Sequence, residues 1–308
     1  MINTYCGACR KIPGSLVAEQ YRFNSMYVDL HLATDISDWK VGPNARQNND
    51  GGPAHLRPPL KVQKLVLHCL EVGFAGCAVA VTVPAEKLHR FRPFTIDFTE
   101  IRERVSTLPQ LRQNTCLQVH DPSVDTSNGF VAASRLTIES SSLDQLQSLI
   151  PSSLVNQFYD LIAIKPSSQA EFSFLCNECR CVDIICIETQ TRLPFEMRLK
   201  DIEHAVRRGI VFELSIASAL RNPQSRRFLI ANAGKISRLT RGKNIILSSG
   251  AASFLESRSP HDLANLGKLF GMTLEHARNG VLTVWRKALQ HGGMCIIGCV
   301  ERSLEFVV

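Results

Sequence analysis

The chain has 308 residues, 44% of them hydrophobic and 20% charged, a composition that excludes a wholly disordered protein. Lys and Arg number 35 against 28 Asp and Glu, a formal excess of +7, so where the charge sits matters more than its amount. No apolar run approaches the ~20 residues a membrane helix needs, and no membrane is expected among its partners.

In chain order, residues 1–25 mix polar, Gly and Pro residues without period and read as an N-terminal extension. They show no apolar stretch of the secretory kind, so the 11 cysteines are expected as thiols in a reducing compartment. MYVDLHL (26–32) predicts a first strand. Residues 34–59, rich in Gly, Pro, Asn and Asp, predict a long flexible insertion. Val62, Leu65, Val66, Cys69 and Val72 recur at helical spacing before Gly73. FAGCAVAVTV (74–83) is a short apolar run of the kind buried parallel strands show. Further strand-like runs follow at CLQVH (116–120), SRLTIE (134–139), YDLIAIKP (159–166), VDIICIE (182–188), IVFELS (210–215) and KNIILSSG (243–250).

Helical stretches separate most of these runs, at 143–150, 169–181, 200–208 and 223–239. Eight strand candidates alternating with helices predict an α/β fold, a closed (β/α)8 TIM-type barrel over 26–290, with an open doubly wound sheet as the competitor. Two C-terminal helices are expected, 259–271 opening with Ser259 as N-cap and Pro260 at the first helical position, and 274–289, before a tail at 291–308.

Four groups of residues could carry chemistry. Arg221, Arg226, Arg227, Lys235, Arg238, Arg241 and Lys243 fall in a segment without a single Asp or Glu, and these seven charges equal the whole formal excess. Such a cluster suits a phosphate backbone or, in the plainer reading, a solvated helix face. Ser248, Ser249 and Gly250 end the last strand, where barrel loops often bind phosphate through backbone amides, although an ordinary tight turn has the same appearance. Asp29 and His31 alternate on the first strand and would face the same way, a weak start for a metal site or a buried hydrogen-bonded pair. The Cys6–Cys9 and Cys176–Cys179–Cys181 groups have spacings zinc tolerates, but nothing nearby completes a tetrahedral set.

The strings LEVGFAGCAVA, FYDLIAIKP, AVRRGIVFELS, GKNIILSSGA and DLANLGKLFG occur in this order, and with them the chain resembles the roughly thirty-kilodalton TIM-barrel protein subunit of ribonuclease P and RNase MRP over about residues 26–290. The resemblance implies a subunit that binds and braces the particle's RNA for 5′-leader removal from precursor tRNA and for rRNA processing, and that is not itself the catalyst. It implies Mg²⁺ on the RNA and no cofactor on this chain. It implies a small α/β protein subunit and other particle proteins as partners, and a nuclear and nucleolar location. The family is also similar to the PHP phosphoesterases, which open with Asp-x-His-x-His; here Ala33 follows Asp29 and His31 where the second His would stand. A metal-dependent phosphoesterase of that kind is the alternative, and assembly through protein contacts alone is a third reading.

Overall fold

The computed structural model describes residues 27–35, 54–84, 93–107, 131–140, 142–144 and 158–292, with the single positions 39, 87, 91 and 146. Its elements in order are β1 (Val28–Asp35), β2 (Ala54–Leu56), α1 (Leu60–Glu71), β3 (Gly76–Pro84), β4 (Phe94–Ile96), α2 (Thr99–Thr107), β5 (Val131–Glu139), β6 (Leu161–Lys165), α3 (Gln169–Asn177), β7 (Ile184–Cys186), α4 (Leu199–Arg207), β8 (Val211–Ser215), α5 (Ala217–Arg221), α6 (Pro223–Thr240), β9 (Ile245–Ser248), α7 (Pro260–Leu269), α8 (Leu274–Leu282) and α9 (Val284–His291).

Seven strands, β1-β3-β5-β6-β7-β8-β9, pair in parallel in that order. Leu32 bridges to Ala251, and the Ala33 amide donates to the Ala251 carbonyl at 2.8 Å, so the segment after β9 returns to β1 and brings the sheet round into a nearly closed barrel. Seven strands of the ring are found among the described residues, where eight were expected. β3 and β5 pair along nine consecutive residues, Gly76↔Val131 to Pro84↔Glu139, and leave no gap between them. CLQVH (116–120) lies outside the described residues.

Two further readings need correction. Part of the stretch read as a flexible insertion is ordered: β2 pairs in parallel with β4, and the Thr95 hydroxyl lies 2.6 Å from His55 Nδ1. Trp39 is buried there too, its Nε1 donating to Thr34 Oγ1. The expected single helix over 274–289 is two, parted at Thr283, whose φ of −128° leaves the helical region. The bend brings α9 against the strands β8 and β9.

The core has two compartments. One packs helices against the outside of the sheet. The other is the barrel lumen, where Val28, Leu30, Ala78, Ala133, Leu161, Ala163, Ile184 and Ile246 meet Val284, Trp285, Ala288 and Leu289 of α9. A seven-stranded ring is narrower than an eight-stranded one, which explains why alanines recur at its inward positions. Helix α9 thus plugs the floor. His291 Nδ1 lies 2.7 Å from Asp183 Oδ1, and Asp183 Oδ2 accepts from the Ile162 amide at 2.8 Å. Any side chain at Gly292 would begin 2.4 Å from the Asp160 carbonyl, so only glycine lets the chain leave beneath the strands.

Trp285 is 1% exposed and is the largest fully buried side chain. Trp285→Ala is expected to cost about 3–5 kcal/mol of stability in urea unfolding. A loss below about 1 kcal/mol would show that α9 does not plug the barrel.

Candidate nucleic-acid interface and the barrel mouth

The upper lumen holds a charged residue that the sequence reading passed over. Arg135 stands in the middle of β5 (VAASRLTIE) and is fully buried. Its guanidinium grips both oxygens of Glu213 at 2.6 Å each. The remaining N–H groups donate to the Leu30 carbonyl (2.8 Å), Thr137 Oγ1 (3.0 Å) and Cys186 Sγ (3.2 Å), so all five guanidinium donors are used. Glu213 also accepts from Ser248 Oγ at 2.8 Å and from the Cys186 thiol at 3.2 Å. Burial by itself would push the Glu213 carboxyl up, but the Arg135 charge overcomes it and holds the group well below the ordinary carboxylate range. A charged residue centred in a strand of the buried sheet was the available signal, since such residues are almost never buried unpaired.

A bulge in β1 makes this possible. Asp29 pairs with Cys77 and Leu32 with Val79, so Leu30 and His31 together oppose one residue, Ala78. The bulge frees the Leu30 carbonyl for Arg135. It also breaks the strand alternation, so Asp29 and His31 do not face the same way as expected. His31 turns toward Glu213, its Nδ1 3.3 Å from Oε2, whereas Asp29 accepts from the His31 and Ser249 amides. Burial pushes the Asp29 carboxyl up, against those hydrogen bonds.

These residues do not fit a metal centre. Both Glu213 oxygens are committed to a guanidinium, Asp29 lies on the other face of the strand, and Ala33 offers no ligand. Among the described residues no group of three or more His, Cys, Asp or Glu is arranged to hold an ion.

The turn after β9 is likewise committed inward. Ser248 and Ser249 are fully buried, and their hydroxyls donate to Glu213 and, at 3.4 Å, to the His31 carbonyl. Gly250 has φ of +61°, and a Cβ there would stand 2.8 Å from Ser215 Cβ. The turn's two Ser hydroxyls are thus spent inside the barrel.

The basic segment is α6 and its flanks. Asn222 caps the helix by accepting from the Gln224 amide, Pro223 occupies the first turn, and Arg241 at φ 56° ends it. Leu229, Asn232, Ala233, Ile236 and Thr240 face the barrel. At 100° per residue the opposite stripe carries Arg227, Ala231, Gly234 and Arg238, with Lys235 beside it. Arg227 and Arg238 are exposed and, at 1.5 Å per residue, about 16 Å apart along the axis. Arg241 and Lys243 continue the line, exposed, past the helix end. The other two cations are engaged: Arg221 pairs with Glu256 at 3.1 Å, and Arg226 Nε donates to the Ala219 carbonyl at 3.2 Å. None of Arg227, Lys235, Arg238, Arg241 or Lys243 has an acidic partner among the described residues.

The family described as RNase P subunit p30 matches residues 26–296. Protein GAMETOPHYTE DEFECTIVE 1 of Arabidopsis thaliana is 31% identical over 218 residues, which are 71% of this chain and 37% of that protein. Ribonuclease P protein subunit p30 of Mus musculus is 38% identical over 136 residues, 44% of this chain and 50% of the mouse protein. The chain thus spans about a third to a half of the length of these two relatives. Among solved structures, a chain of a cryo-EM structure of archaeal ribonuclease P with mature tRNA shares the fold, with a TM-score of 0.51 at 13% identity over 75% of this chain and 87% of that one.

The buried pair generates a thermodynamic test. Arg135→Met or Glu213→Met alone strands a charge and is expected to cost about 3–5 kcal/mol, whereas the double variant loses less than either single, in urea unfolding. The Glu213 contribution is present above its unfolded value near 4.5 and is lost as pH falls toward its depressed folded value, so the parent's acid-side loss of stability should be smaller in the double variant.

Proposed function

The chain belongs to the RNase P subunit p30 family, and on that premise we propose that it is a protein subunit of the ribonuclease P particle, and of RNase MRP, that grips RNA phosphates along α6 and leaves bond cleavage to the RNA. The observation that carries the reading is the line of cations without an acidic partner among the described residues, Arg227, Lys235, Arg238, Arg241 and Lys243, on the outward stripe and end of a helix whose other face is packed on the barrel. Folded RNA is recognised mainly through shape and backbone contacts, and a row of cations, exposed at Arg227, Arg238, Arg241 and Lys243 and half-exposed at Lys235, supplies them without base readout. Mg²⁺ belongs with the RNA in this reading, a small α/β protein subunit is the direct protein partner, and precursor tRNA meets the chain through the particle. The compartment is the nucleus and nucleolus.

The non-catalytic role rests on Arg135. A lumen whose acidic group is saturated by a guanidinium has no free carboxylate for a hydrolytic ion or a general base. Among the described residues the phosphoesterase alternative has no donor set to run on.

Recovering the protein from cell extract and sequencing the co-purifying RNA identifies the particle; absence of the ribonuclease P and MRP RNAs would refute the assignment. In vitro, Arg227→Glu combined with Arg238→Glu should weaken binding of that RNA by at least tenfold and flatten the slope of log K against log salt by about 1.4–1.8, from the ~0.7–0.9 per phosphate contact. Unchanged affinity and slope would remove α6 from the interface.

A further inference from the structure

We propose that the floor of the barrel, at the N-terminal ends of β7, β8 and β9, is a second contact surface for the RNA phosphate backbone, continuous with the cation line of α6. The inference rests on the RNA reading of α6 and extends it to residues outside that helix. All seven strands of the ring run the same way, so the turns that enter β7, β8 and β9 are neighbours at one end of it. Each brings cations: Arg180 before β7, Arg207 and Arg208 before β8, Arg241 and Lys243 before β9. At about 4.8 Å between adjacent strands, the three turns span about 10 Å.

Helix α9 lies under them and adds Lys287. The Lys287 Nζ donates to Asn244 Oδ1 at 3.0 Å, which sets this cation beside the turn entering β9. One helical turn further on, His291 packs under the turn entering β8, where a Cβ at Gly209 would stand 3.1 Å from its ring. Arg180, Arg207, Arg241, Lys243 and Lys287 are all exposed, and none has an acidic partner among the described residues. Arg208 is part-buried and donates to the Leu175 and Cys176 carbonyls, so its role is structural.

The acids at this end are mostly turned inward. Asp160 accepts from the Ser134 amide and hydroxyl, and Asp183 accepts from the Ile162 amide and pairs with His291. Helix α9 contains no Asp or Glu, and Glu178 is the exposed acid of the three turns. Such a row attracts a polyanion. An acidic protein would also be drawn to it, but a stable protein interface is built round an apolar centre. None of the exposed large apolar side chains among the described residues lies in these turns or in α9. A phosphate backbone needs no such centre, and the α6 line ends in Arg241 and Lys243 at the edge of this same floor.

The test measures affinity of the full chain for its co-purifying RNA over a salt series. Arg180→Gln, Arg207→Gln and Lys287→Gln together leave every cation of the α6 line in place. This triple variant should bind at least tenfold more weakly and flatten the slope of log K against log salt by about 2.1–2.7, from the ~0.7–0.9 per phosphate contact. Bound RNA should also protect Lys287 of the parent chain from acylation, a readout that requires no variant to fold. Unchanged affinity and slope, with Lys287 still acylated in the complex, overturn the proposal. If the Arg227→Glu, Arg238→Glu chain loses affinity in the same assay, the α6 reading stands without the floor; if neither variant loses affinity, both fall. Loss of a protein subunit from the recovered particle, with RNA affinity intact, would assign the floor to an acidic protein and equally overturn the proposal.

Discussion

The structure depends on one ion pair placed where a barrel has least room for error. Arg135 and Glu213 lie across the upper lumen, and the groups that satisfy them come from β1, β5, β7, β8 and β9, five of the seven strands in the ring. Moving two charges out of water costs several kcal/mol each, so such a pair adds little net stability against an apolar substitute. It adds uniqueness instead. A one-residue slip in any of those strands would turn its contributing group to the other face and strand a charge, which is far costlier than misplacing one of many alanines. The β1 bulge belongs to the same device, because without it the Leu30 carbonyl would be committed elsewhere and His31 would face outward.

The two ends of the lumen are consequently closed in different ways. The floor is shut by hydrophobic burial, with Trp285 and Leu289 of α9 inserted beneath the alanine layer. The mouth is shut by charge. Its rim adds Lys165, which lies 2.9 Å from Glu188 and 3.6 Å from Glu139.

Much of this was legible in the sequence and the remainder was not, for physical reasons. Local signals carried far: the Ser259–Pro260 start of α7, the Asn222–Pro223 start of α6 and the apolar runs of β3, β6 and β8 are set by propensity and period within a few residues. Strand order is settled only by pairing: periodicity marks a segment that could pair and says nothing about its neighbours, and β3 turns out to lie directly beside β5. The strand in Ala54–Leu56 was missed because three residues among Gly and Pro carry no pattern of their own and are held by β4. The bulge at Leu30–His31 shifts facing by one residue, which strict alternation cannot anticipate. Arg135 was overlooked because its partner is 78 residues away in sequence, and only the fold brings them together.

Helix α6 offers a separate argument about what selection has placed. Cations at a helix C-terminus sit favourably with the backbone dipole, so Arg238 and Arg241 need no functional explanation. Arg226 and Arg227 are in the opposite situation. They fall within the first turns, where the dipole favours anions, and the first turn of α6 holds no acidic residue to offset them. Each such placement costs a few tenths of a kcal/mol in an isolated helix. Arg226 recovers part of that cost by donating to the Ala219 carbonyl, but Arg227 is exposed and has no acidic partner among the described residues. Stability alone would favour Asp or Glu at these positions, and a negatively charged partner would offset the cost at Arg227, in keeping with the RNA contact proposed for this helix.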